Sequence, residues 1–381
     1  MILFYLVLIV DSLVLQPLRC LLGFVMRFLW HPPMVAGMPS PYILDELLAV
    51  AKDRLQTLDR SIYGQGGDSA KFLGMLYYAT GDHAEWQNVL ALVQDDGTIK
   101  RSLAPETSTV PFSGDMLSGL LLAVLRRLPA LTKGEATREE WIKLCRLWER
   151  TTWQGFPLLF ANAATGKKEV FARGHIWRPW WVFGSEDILT ALVWLYMGWK
   201  ITGERRYLTA YYATLILQAP GLLMGCPDAQ IWLGSVYGIA TYNTHSKVLG
   251  CYAGWKLTGN IFFKLALAQA HRRHGAYNAD ICVLAGSVAG KEGWYKNALE
   301  LIGHAVSKGC CICPQTKSYI SLFWPPEKVV RSECILPPQF RGGDYIWERN
   351  PIKGDFLDDD YRVRKSLDVI FPAHVLKEVA P

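Results

Sequence analysis

Two stretches of this 381-residue chain repeat each other without a gap, and that repeat constrains the fold more than any other feature. "DILTALVWLYMGWKITGERRYL" from Asp187 aligns with "NTHSKVLGCYAGWKLTGNIFFKL" from Asn243, matching Tyr196 to Tyr252 and "GWKITG" to "GWKLTG". Weaker copies start at Phe72 ("FLGMLYYATGDHAEW"), Asp115 ("DMLSGLLLAVLRRL") and Asp280 ("DICVLAGSVAGKEGWYKNAL"). Each copy reads as a helix, a short turn with glycine or a charged residue, and a second helix, with apolar residues at three- and four-residue spacing. Such a hairpin cannot bury its apolar face alone, so about five or six of them must stack on one another.

The stack could be an open superhelix or a ring. No charge occurs from Ile188 to Trp199, so the first helix of that hairpin is apolar all round and needs neighbours on every side. Inner helices of a ring are enclosed in that way, whereas an open array leaves each helix a solvated face. The expected fold is therefore all-α, an (α/α) toroid of helical hairpins over residues 42–306. With its helix, "TG" turn and recurring Tyr or Trp, as in "GWKITGERRY" and "YYATGDHAEW", the chain resembles the six-hairpin glycosidase-like superfamily over residues 65–305. The resemblance is one of pattern. It speaks for fold more than for substrate, because no family-specific catalytic signature accompanies it.

The two ends differ from this body. Residues 1–30, "MILFYLVLIVDSLVLQPLRCLLGFVMRFLW", carry only Asp11, Arg19 and Arg27 as charges, and a run of that length can cross a hydrocarbon core of about 30 Å. It reads as a membrane anchor helix, with a buried first core helix as the plain alternative; the basic start and small-residue cleavage site of a signal peptide are missing. Arg19 and Arg27 follow the most apolar part and lean the body toward the cytoplasm, at a bacterial inner membrane. Residues 31–41 form a Pro- and Gly-rich linker. A second span over residues 207–225 is conceivable, yet Gln218, Pro220 and the repeat itself speak for a core helix. From 307 to 381 the prolines at 314, 325, 326, 337, 338, 351 and 372 suggest an irregular extension packed on the toroid.

Composition removes several classes of function. Hydrophobic residues make up 51% and charged residues 19%, below the roughly 25% charge of ordinary soluble chains, which excludes disorder over most of the length. The net charge of +6 is thinly spread, and no basic stripe with interleaved aromatics offers a nucleic-acid surface. It fits mild attraction to anionic lipid or acidic glycans. The nine cysteines form no matched CxxC pairs, which argues against structural zinc, and their odd number argues against a full disulfide framework. The acidic run "DFLDDD" at 355–360 lies in the proline-rich tail without a second metal motif and reads as a solvated turn. Phosphate-loop, nucleophile-elbow and zincin signatures are missing, and no metal or cofactor is expected.

In a ring of hairpins the loops entering the inner helices gather at one pole. Asp115, Asp187, Asn243 and Asp280 stand at or near those entries, where Asp and Asn ordinarily serve as N-caps. Asp187 carries more, because "HIWRPWWVFGSED" delivers His175, Trp177, Arg178, Trp180 and Trp181 to its mouth. Indoles stack on sugar faces, and a low dielectric lifts a carboxylic acid toward general-acid duty. Asp187 is thus the expected acid, with Glu186 as its substitute and Asp115 as the second carboxylate of glycoside hydrolysis. "YNTH" brings Tyr242, Asn243 and the candidate catalyst His245 to the matching position. Tyr, Asn, His and Arg are equally the groups of a polysaccharide lyase, in which a base removes the proton beside a neutralised uronate. The expectation is a membrane-anchored glycoside hydrolase on a polysaccharide or oligosaccharide. The alternatives are a lyase on a uronate-containing glycan and a non-catalytic toroid that binds a glycan or partner at the membrane. The expected partners are a carbohydrate chain and, through the N-terminal helix, membrane lipid.

Overall fold

In a computed structural model of the chain the described residues are 2–17, 21, 42–58, 69–100, 102–103, 116–153, 159–161, 168–170, 185–224, 241–275, 278–290, 292–306, 316–320, 328–332 and 366–381. They are overwhelmingly helical, and the all-α class stands. Helix α1 (Ile2–Val10) runs into a π-helical turn (Asp11–Leu15) and is followed by α2 (Leu44–Gln56). Five hairpins come next: α3 (Ser69–Thr80) with α4 (His83–Leu92), α5 (Leu117–Lys133) with α6 (Arg138–Thr152), α7 (Ser185–Thr202) with α8 (Arg205–Met224), α9 (Thr241–Thr258) with α10 (Ile261–His274), and α11 (Ala279–Ala289) with α12 (Trp294–Val306). The last helix is α13 (Leu367–Val379). Two short antiparallel strand pairs interrupt the helices, β1 (Leu159–Ala161) with β2 (Lys168–Val170) and β3 (Thr316–Ile320) with β4 (Lys328–Ser332).

The sequence repeat is a repeated turn. In three hairpins a Thr-Gly pair ends the first helix, and the chemistry is the same each time. Thr80, Thr202 and Thr258 each donate the hydroxyl back to a carbonyl four residues earlier, those of Leu76, Gly198 and Gly254, at 2.9, 2.7 and 2.7 Å. The same hydroxyl oxygens accept the backbone N–H of Asp82, Glu204 and Asn260 at 3.2, 3.2 and 3.1 Å. The glycines between adopt φ of 69°, 73° and 63°, the left-handed region that a side chain resists. Asp82 and Asn260 then cap the second helices through Ala84 N and Phe262 N, at 2.9 and 3.0 Å. One turn therefore stops a helix, reverses the chain and starts the next helix.

By internal packing the chain forms two compact units, one of Met1–Val25, Arg60–Ala229 and Leu249–Lys264, the other of Met26–Asp59, Gln230–Val248 and Leu265–Pro381. In the first unit α3 packs on α4 and α5, α5 on α7, and α7 on α6 and α8. The first helices are buried all round: α3 from Ser69 to Ala79, α5 from Leu117 to Val124. The second helices bury one stripe, such as Glu140, Leu144, Leu147, Trp148 and Thr151 on α6. Trp148 and Trp194 stack at 4.0 Å with planes 10° apart. Each indole N–H is satisfied, that of Trp148 by Trp194 O at 2.8 Å and that of Trp194 by Thr152 Oγ1 at 3.1 Å. Arg127 ties α5 to α6 through both carboxylate oxygens of the buried Glu140, at 2.8 and 3.1 Å.

In the second unit α13 packs against α2, α11 and α12. Proline content assigns residues 307–381 to an irregular extension; within it, Leu367–Val379 instead form a helix, and Thr316–Ile320 and Lys328–Ser332 form the β3–β4 pair. Pro372 sits inside α13 and has no N–H for the carbonyl of Asp368, a loss of about 3 kcal/mol in a helix interior. Burial of Leu367, Val369, Ile370, Phe371, Val375 and Leu376 outweighs it, since each such side chain stabilises by about 1.5–3 kcal/mol. At the other end, no helix among the described residues is long and apolar enough to cross a membrane.

Two glycines test the hairpin geometry separately. A Cβ on Gly254 would lie 2.6 Å from the Phe263 ring across the hairpin, whereas one on Gly203 would meet nothing within 4 Å but would be held at φ +73°. Gly254→Ala is expected to cost about 1–3 kcal/mol by overpacking and to be partly rescued by Phe263→Leu. Gly203→Ala is expected to cost about 1–2 kcal/mol through the backbone alone, with Gly203→Asn milder than alanine. Urea midpoints of the four variants measure this; rescue of Gly203→Ala by trimming a neighbour, or none for Gly254→Ala, would contradict it.

Candidate functional site

Among the described residues, most buried polar side chains of the second unit stand at helix starts. Thr244, His245, Ser246 and Lys247 in the first turns of α9 are all buried, as are Asn278 and Asp280 at the start of α11 and Asp368 at the start of α13. Each helix start carries backbone N–H groups without intrahelical partners and the positive end of the helix dipole, so carboxylates are stabilised there.

Within this unit one pair is made from two catalytically competent groups. His245 Nε2 lies 2.9 Å from Asp280 Oδ2, and the two side chains are 0% and 1% exposed. A nitrogen facing a carboxylate carries the proton, so Nε2 donates to Asp280. Away from water this hydrogen bond fixes tautomer and ring orientation together. Thr244 Oγ1 lies 3.3 Å from His274 Nε2, tying the start of α9 to the end of α10.

Asp280 does not cap its own helix, because Asn278 takes that position. The start of the repeat suggests Asp280 as an N-cap, but α11 begins at Ala279 and the cap is Asn278, whose Oδ1 accepts the N–H of Ile281 at 3.0 Å. The difference is a shift of two residues, and it turns an expected structural carboxylate inward. A Cβ on Gly286 would come within 3.2 Å of His271 Nε2, and one on Gly275 within 3.0 Å of it, so the imidazole fills a space left by two missing side chains. Among the described residues that Nε2 has no hydrogen-bond partner, and burial holds the ring below its ordinary pKa. Cys282 receives Asn297 Nδ2 at 3.4 Å and faces the carbonyl of Trp294 at 3.4 Å. Burial pushes its thiol up to about 12, so it stays a protonated packing group.

The sequence candidates fall in three groups. Asp115, His175, Trp177, Arg178, Trp180 and Trp181 lie outside the described residues. Glu186 and Asp187 belong to the first turn of α7, and Tyr242 and Asn243 to that of α9; their side chains lie outside the described residues. His245 is described, and its partner Asp280 stands 35 residues away. Sequence reasoning placed both at helix starts without pairing them. The available signal was the repeat register, which puts both at the entries of consecutive first helices. Among the described residues no group of three or more His, Cys, Asp or Glu side chains could hold a metal ion.

Two measurements check these assignments. Asn278→Ala is expected to cost about 1 kcal/mol, the loss of a cap, while Asn278→Ser, which keeps a capping oxygen, is expected to cost less; equal damage from both would contradict the cap. For His271 the folded pKa lies below the ordinary 6.5, so the unfolded chain takes up the proton more readily. Its contribution to stability is complete above about pH 6.5 and is lost as pH falls below that value. His271→Leu is accordingly expected to flatten the fall in urea midpoint between about pH 7 and about pH 5. An unchanged slope would contradict the burial of a neutral ring.

No family model matches the chain, and no similar curated protein or solved structure was found.

Proposed function

We propose that this chain is a membrane-associated, carbohydrate-active enzyme whose hairpins close as an (α/α) toroid and whose proton-transfer group is His245, oriented by Asp280. The observation that carries the reading is the His245–Asp280 pair itself, buried at the first turns of two hairpin-leading helices. Three further features support it. The leading helices are buried all round, as inner helices of a ring are; α13 packs on α2, near the other end of the body; and three tryptophans precede the start of α7 in sequence.

The chemistry follows from the groups present. Asp280 accepts the Nε2 proton and stabilises the imidazolium that forms when Nδ1 takes a proton from substrate. An imidazole backed by a carboxylate suits abstraction of the proton beside a uronate carboxylate, and this favours the lyase over the hydrolase. Hydrolysis would need two facing carboxylates, for which Asp187 and Asp115 are the candidates. The complete burial of the pair favours one other reading, a glycan- or partner-binding protein in which His245 and Asp280 only join α9 to α11.

Full-length protein incubated with a panel of uronate-containing and neutral polysaccharides separates these readings. Lyase activity gives unsaturated chain ends that absorb in the ultraviolet; hydrolysis gives saturated reducing ends. His245→Asn and Asp280→Asn are expected to lower the lyase rate by about 100- to 10,000-fold, with thermal midpoints that stay within a few degrees for the Asp280 amide. Retained activity in both variants would remove His245 from the chemistry. Saturated products lost with Asp187→Asn would select hydrolysis. Glycan binding with no product from the wild type would select the binding protein.

A further inference from the structure

The N-terminal segment is built inside out. Leu8 is 1% exposed and Gln16 5%, and with half-buried Ser12 they form an i, i+4, i+8 stripe along α1 and the π-helical turn. Within the first unit that stripe packs on α8: Gln218 Nε2 donates to Ser12 Oγ at 2.8 Å, Gln16 Nε2 donates to Gln218 Oε1 at 3.2 Å, and Ser12 Oγ donates to Leu8 O at 2.7 Å. The opposite side presents Leu6, Ile9, Val10, Leu13 and Val14, the last two 72% and 61% exposed, and Leu21 is exposed beyond them. A helix on a water-facing surface turns its amides and hydroxyls outward and its leucines inward. Here two polar side chains are spent on the interior contact while the apolar ones face away from it, the arrangement suited to an apolar solvent.

We infer that this face lies in the hydrocarbon layer of a lipid membrane, with the segment docked along α8 rather than hanging as a free tether. The inference rests on the membrane association proposed above and specifies its geometry. The side of the segment that carries Leu8, Ser12 and Gln16 is committed to α8, which leaves the outer side for lipid, so the contact runs along the surface of one leaflet. The sequence continues apolar to Trp30, with Arg19 and Arg27 as the charges that follow, and these cations match anionic headgroups.

The test uses the full chain and vesicles of phosphatidylcholine with and without phosphatidylglycerol. Wild type is expected to co-sediment, more strongly with the anionic lipid, and to be released by alkaline carbonate. Leu13→Glu with Val14→Glu is expected to weaken binding at least about 10-fold without moving the thermal midpoint. Ile261→Glu, the same change at an exposed apolar residue of α10, is expected to leave binding unchanged. Wild-type binding that survives the double substitution, or resists carbonate, keeps membrane association and overturns this geometry. A wild type that ignores both vesicle types overturns the membrane reading as well. Soluble dimers that the double substitution converts to monomers, without vesicle binding, would assign the face to a second copy of the chain.

Discussion

A threonine hydroxyl shared between two backbone groups sets the spacing of the helices. In each Thr-Gly turn it closes the first helix through the carbonyl four residues back and receives the N–H two residues on. The left-handed glycine between lets the chain reverse at once, so the second helix must return along the first. Close return needs room, and Gly198 and Gly254 provide it by leaving space for the Tyr207 and Phe263 rings. Hairpins of fixed geometry then differ mainly in what their helices carry, which is how one repeat can hold a stacked tryptophan pair in one place and a histidine–aspartate pair in another.

Burial on all sides gives the leading helices their second property. A helix with no solvated face has nowhere to send a polar side chain except toward another polar side chain. On α3, α5 and α7 the answer is largely to carry few of them; on α9 and α11 the first turns carry several, of which His245 and Asp280 meet each other and Thr244 meets His274. The helix dipole makes the first turn the least costly place to bury a carboxylate, so a polar cluster at helix starts is compatible with an apolar body. The same position in the fold serves a structural pair and an acid–base pair equally well. What would make His245 chemical is access to substrate.

Much of the helical pattern is legible in the sequence because its cause is local. The Thr-Gly turns, the apolar run from Ile188 to Trp199 and the matching of Tyr196 to Tyr252 all act within a few residues of themselves. The parts that are not legible depend on distant partners. Asp280 looks like a cap until Asn278 is seen to hold that position, and nothing within α9 says that His245 meets it. Pro372 argues for an irregular tail until the burial of the apolar residues around it is counted. At the N-terminus the apolar run suggests a spanning anchor by its length, while the inward placement of Ser12 and Gln16 depends on Gln218, which lies 206 residues beyond Ser12. The Asp187 and Asp115 pairing expected from the repeat register stays a sequence expectation.

The central claim is that Asp280 holds His245 in one tautomer with its Nε2 proton locked away from water. Nitrogen-15 NMR of the histidine rings in the folded chain tests it most directly. The account predicts a slowly exchanging, strongly downfield Nε2 proton on His245 that disappears in Asp280→Asn while the remaining histidine signals persist. A His245 ring protonated at Nδ1, or one whose signals are indifferent to Asp280, would contradict it.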